Sequence, residues 1–245
     1  MAKADQYRAA LANLTDWDEY LLAESGLPGP RGNLELAHVV ADLGDQALFE
    51  RYLTNTAEVA PTNDPREFLA FCGALGLGRL LAAGQPEMLA RLRVCANDPR
   101  WRMREAVAQA LQKLGDVDMD ALIAAVKPWV AGTLLERRAA AAGLCEPRLL
   151  KEATYAQHTL EILAEITASI AKESDRRSEE FKALRKALAY CWSVAIVALP
   201  ESGKPMFEAL LANEDKDVQW IVKQNLSKKR LERMDAVWVE SRIHG

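Results

Sequence analysis

NDPRWRMREAVAQALQKLGD, residues Asn97 to Asp116, is the stretch on which the fold turns. Asp98 suits a helix N-terminus, Pro99 the first helical position and Gly115 the stop. Between them Met103, Ala106, Val107, Ala110, Leu111 and Leu114 recur at i, i+3, i+4, i+7, i+8 and i+11, the spacing of one buried stripe on an amphipathic helix. A helix that buries a single stripe needs neighbours to cover it. The stretch therefore predicts a stack of similar units rather than a lone core.

The same unit is visible on both sides. Asn63-Asp64-Pro65-Arg66 repeats as Asn97-Asp98-Pro99-Arg100, 34 residues on, and in that register Leu69 matches Met103, Cys72 matches Ala106 and Leu77 matches Leu111. Residues 134–147 carry a third copy at an offset of 33, in which Arg137 matches Arg104 and Leu144 matches Leu111. Val218, Ile221, Val222, Asn225 and Leu226 restate the stripe at an offset of 115. The glycines of CGALGLG, residues 72–78, fall on an apolar helix with no strand before them, so they read as close packing positions and not as a dinucleotide fingerprint.

Elsewhere the pattern predicts a helix over 4–23 with a new turn at Thr15, the Gly/Pro turn SGLPGPRG at 25–32, and a helix capped by Asn33 with Leu36, Ala37, Val40 and Leu43 inward. Residues 54–65 read as a long linker, 147–172 as one long helix, 179–199 as a central helix apolar on several sides, and PESGKP at 200–205 as a tight turn. No alternating period-2 segment of useful length occurs, so no sheet is expected.

Half of the 245 residues are apolar and about a quarter are charged, which fits a folded globular chain. Cys72, Cys95, Cys145 and Cys191 form no CxxC pair and sit in apolar helical patterns, which points to reduced thiols and a cytoplasmic location. The first ten residues lack an apolar h-region and no stretch approaches eighteen uninterrupted apolar residues, so neither export nor a membrane is expected. Net charge is −4, but residues 1–70 hold 5 Lys and Arg against 12 Asp and Glu. Five arginines between Arg91 and Arg104, and the run Lys228, Lys229, Arg230, are candidate phosphate-binding patches; the alternative is ordinary solvated charge at helix turns.

The pattern Asp98-Pro99, Met103-Arg104, Ala106, Ala110-Leu111 and Leu114-Gly115-Asp116 resembles the HEAT-repeat family. That resemblance implies an all-α, right-handed α-solenoid of antiparallel helix pairs over 1–245, with 1–62 as an acidic N-terminal helical cap and 63–245 as the repeat core. It implies a binding surface for a macromolecular partner, protein or nucleic acid, through a groove, but no single function. A narrower likeness is to the DNA alkylation repeat glycosylases, which use a tryptophan, an acid one turn later and an arginine on the next repeat. Here Trp101 and Glu105 keep the one-turn spacing, and Arg137 or Arg138 lies on the next repeat, although glutamate replaces aspartate. That likeness implies a DNA-binding or base-excising protein.

Arg100, Trp101, Arg104, Glu105, Arg137 and Arg138 are thus the candidate binding surface. On the helix wheel Trp101, Glu105, Ala108 and Gln112 share the stripe opposite the core. The alternative is that Trp101 packs between repeats and Arg104 joins an inter-repeat ion-pair ladder. No catalytic set is expected: His38, His158 and His244 are scattered, no metal-ligand spacing occurs, and no GxSxG, phosphate loop or cofactor fingerprint is present.

Overall fold

A computed structural model describes residues 2–243; His244 lies outside them. Among the described residues the chain forms fifteen α-helices and three short 3-10 stretches, with no strand. No helix is long and apolar enough to cross a membrane. The chain divides into two compact units, Met1–Val117 and Asp118–Gly245.

The first unit holds α1 (Lys3–Ala12), α2 (Asp18–Glu24), α3 (Leu34–Leu43), α4 (Gln46–Leu53), α5 (Glu67–Ala82), α6 (Met88–Ala96) and α7 (Trp101–Val117). Helix α5 is its centre: α2, α3, α4, α6 and α7 all pack on it. Asn33 caps α3 by accepting the Leu36 N–H at 3.2 Å, and Asp45 caps α4 by accepting the Leu48 N–H at 2.8 Å. The expected stripe of α7 is wholly buried, from Met103 to Leu114.

The glycines of α5 sit where backbones meet. A Cβ on Gly76 would fall 2.3 Å from the Phe49 ring of α4, and one on Gly78 would fall 2.4 Å from the Ala110 Cα of α7. No larger residue fits at either place without moving a helix. Gly73 meets Leu53 and Tyr52 while Gly76 meets Phe49, so α4 runs antiparallel to α5. In contrast α3, α5 and α7 run parallel. Near their C-termini Arg79 donates to the Gly44 carbonyl at 2.7 Å and Lys113 pairs with Asp42 at 3.8 Å, while Glu67 and Arg102 pair at the N-terminal ends of α5 and α7.

The second unit holds α8 (Met119–Val126), α9 (Leu134–Leu144), α10 (Ala153–Ser169), α11 (Glu179–Ala198), α12 (Pro200–Leu211), α13 (Lys216–Leu226), α14 (Lys229–Met234) and α15 (Ala236–Ile243). Helix α11 is central here, packed by α9, α10, α12 and α13. Trp192 donates to the Thr167 hydroxyl at 3.0 Å and meets Phe207, with ring centroids 5.8 Å apart. Asn225, fully buried, is satisfied on both sides: its amide donates to the Leu188 and Ile221 carbonyls and its oxygen accepts from Ser193 N.

Several expectations are corrected. The 4–23 segment is two helices, broken over residues 13–17, and Leu43 is 46% exposed. Gly115 lies inside α7, which continues to Val117. Residues 147–172 are not one helix, because a 3-10 turn at Pro147–Leu149 precedes α10. PESGKP is the opening of α12: Pro200 takes the first helical position, and Pro205 is tolerated one turn further on.

Candidate functional site

The two Asn-Asp-Pro-Arg turns repeat in space as they do in sequence. Asp64 Oδ1 accepts the Arg66 N–H at 2.9 Å and its Nε at 2.9 Å, while Oδ2 accepts Nη2 at 2.6 Å. Asp98 and Arg100 make the same three bonds at 2.8, 2.9 and 2.6 Å. In each case an Asx turn folds the guanidinium back onto the carboxylate that starts the turn. The Arg66 guanidinium beside Asp64 holds that carboxyl down to about 2.

These turns place the first residues of α5 and α7 side by side. There Arg102 pairs with Glu67 at 2.9 Å, with the two side chains 5% and 0% exposed. Glu67 Oε2 also accepts the N–H of Asn63, whose φ of +74° suits asparagine among non-glycine residues. Arg102 reaches further, to the Gly29 carbonyl at 2.5 Å, and so ties the Gly/Pro turn to α7. Glu67 Oε1 and Arg102 Nε are buried with no partner. An ion pair this deep is held by its geometry and fixes positions more than it stabilises, because both charges have left water.

The Arg102 guanidinium lies 4.4 Å from the centroid of the Trp101 ring. Trp101 is nonetheless 43% exposed, and it forms one wall of a cleft of about 380 Å³. Glu105 and Gln109, one and two turns along α7, continue that wall. Phe68 and Phe71 of α5, Leu34 at the start of α3, and Pro30, Arg31 and Gly32 of the preceding turn complete it. A volume near the low end of small-ligand sites suits one ring or one large side chain with its neighbours.

Of the stripe expected opposite the core, 101 and 105 line the cleft together with 109, while 108 does not belong to it. Ala108 is buried, because the covered arc of the helix is wider than one stripe, whereas Glu105, Gln109 and Gln112 are all half-buried. Of the expected site residues, Trp101 and Glu105 come together in the cleft. Arg104 donates to the Pro99 carbonyl at 2.6 Å. Arg100 is not on the surface: it is 3% exposed, and beyond Asp98 its Nη1 donates to the carbonyls of Asn55 and Ala60 at 2.9 and 2.8 Å. The 54–65 stretch is accordingly no free linker, since it is bound from the next repeat. Arg137 and Arg138 belong to the second unit. There Arg137 is held by the Gly132 carbonyl, the Ser169 hydroxyl and Glu173, and Arg138 is buried.

Sequence reasoning missed Leu34, Arg31, Phe68, Phe71 and Glu67 as cleft or support residues. The signal was present in one respect: a rigid Gly/Pro turn directly before a capped helix marks a fixed loop. Among the described residues no group of His, Cys, Asp or Glu could hold a metal. The four cysteines are free thiols; burial pushes Cys95 up to about 11 and raises Cys72 and Cys145 well above the ordinary thiol range. Comparison of the chain with protein-family models, with curated proteins and with solved structures found no match.

Proposed function

We propose that the chain is a HEAT-like helical-repeat protein that works by binding, and that the Trp101 cleft receives an apolar side chain of a protein partner. The observation that carries this reading is Trp101 itself, a large ring left 43% exposed beside an aromatic floor. Tryptophan and arginine are the residues that most often anchor interfaces. The Glu67–Arg102 pair stiffens this wall in advance, which reduces the ordering cost of association. Arg31, exposed on the cleft, has no ion pair among the described residues, and so favours an acidic residue next to the inserted side chain.

The base-excising alternative rests on Trp101 and Glu105 alone, since Arg137 is already engaged and Arg138 is buried. Selection of displayed random peptides on the full chain tests the preferred reading. The expected result is enrichment of an apolar residue beside Asp or Glu, with roughly tenfold weaker binding to Trp101→Ala, whose melting midpoint should be little changed. Peptides that bind Trp101→Ala as well as the wild type, or no enrichment at all, would overturn it.

A further inference from the structure

Most arginines in this chain already have acidic partners. In the second unit Arg176 and Arg185 share Asp217, and Lys204 pairs with Asp235. The segment from Lys223 to Arg233 is the exception. It holds five lysines and arginines against one acid, Glu232. Among the described residues Lys228, Lys229 and Arg233 take part in no ion pair, although they are exposed or half-buried at the surface of α14.

Arg230 differs from them in being fixed. Its guanidinium lies 4.4 Å from the centroid of the Tyr190 ring of α11 and donates to the Tyr190 hydroxyl at 2.6 Å. Tyr190 is 44% exposed, so a ring whose orientation is set by a cation stands open beside unpaired cations. Phosphates suit the cations, and an exposed aromatic face suits an unpaired base. A duplex keeps its bases stacked on one another and could not use the ring.

We propose that α14 and the adjoining edge of α11 form a contact surface for single-stranded nucleic acid, in which Lys228, Lys229 and Arg233 meet phosphates and Tyr190, held by Arg230, stacks on a base. This surface is separate from the cleft and does not depend on the reading given for it. Three phosphate contacts predict that log affinity falls with log salt at a slope of about −2, since each neutralised phosphate of a single strand contributes about −0.7.

The test is fluorescence anisotropy of a labelled twenty-residue oligothymidylate titrated with the full chain over a range of salt. Lys228→Ala with Lys229→Ala should weaken binding and flatten the slope by about 1.4. Tyr190→Ala should weaken it about tenfold while leaving the slope unchanged. Trp101→Ala should bind the strand as the wild type does, so a failure of the cleft reading leaves this result untouched. Circular dichroism confirms that each variant is folded. Absence of binding at low salt, unaltered binding by the lysine double variant, or equal or tighter binding to a duplex of the same length or to phosphatidylserine vesicles would each overturn the proposal.

Discussion

Helices α5 and α7 are two copies of one sequence unit, 34 residues apart, yet 14 of 16 residues of α5 are buried against 9 of 17 in α7. The copies agree wherever the buried stripe runs and part company on the opposite side. Where α7 presents Trp101, Glu105 and Gln109 to the cleft, α5 has Glu67, Phe71 and Leu75, all buried. A third parallel helix, α3, lies against α5, whereas the corresponding residues of α7 look across the cleft onto Phe68 and Phe71 of α5 and Leu34 of α3. The buried stripe thus runs along matching positions in both helices, while the neighbours of each helix decide whether its second face becomes core or cleft.

Their opening turns show the same division. Asp64–Arg66 and Asp98–Arg100 have matching hydrogen bonds, but the Arg66 side chain is 47% exposed and that of Arg100 is 3% exposed. Arg100→Ala should therefore give the largest loss, about 3–5 kcal/mol, because it strands a carboxylate and two loop carbonyls. Chemical denaturation of the variant measures it, and a cost under about 1 kcal/mol would mean that Arg100 does not hold the 54–65 loop as described.

The stripe itself is tested next. Leu111→Ala should cost about 2–5 kcal/mol and Gln112→Ala about half a kcal/mol or less. Equal denaturation midpoints for the two would place the wrong face of α7 inward.

A smaller effect than that of Leu111→Ala is expected from Arg66→Ala, because this ion pair is half-exposed at the surface. Its pH dependence is specific. The Asp64 carboxyl is lowered in the folded chain, so its contribution is present above the unfolded value of about 4 and is lost as pH falls towards about 2. The stability gap between wild type and Arg66→Ala should close over that interval. A gap that stays constant from pH 6 to 2 would show that Arg66 does not act through the Asp64 carboxylate.

The helical frame was legible in the residues because period and punctuation are local properties. Asn33, the α7 stripe and the glycines of α5 could each be read from neighbours a few positions away. What lay beyond reach were contacts between distant segments. Nothing near Arg100 announces that the carbonyls of Asn55 and Ala60 will take its protons, so a surface role was the natural reading of a charged side chain. In the same way Trp101 and Glu105 could be paired from their spacing, but the aromatic floor from α5 and the turn at 30–32 could not. Ala108 went astray because the helix wheel cannot count how many neighbours a helix will acquire.

The cap on the 54–65 loop also imposes an order in time. Arg100 binds carbonyls 40 and 45 residues behind it, so during synthesis the loop leaves the ribosome well before the side chain that will hold it. At translation speeds of about 5–20 residues per second that interval is roughly two to nine seconds. Throughout it the loop carbonyls belong to water, and the first copy of the repeat waits with its entry unfastened. The second copy closes the first, so this part of the nascent chain is completed from behind, by a side chain made after it.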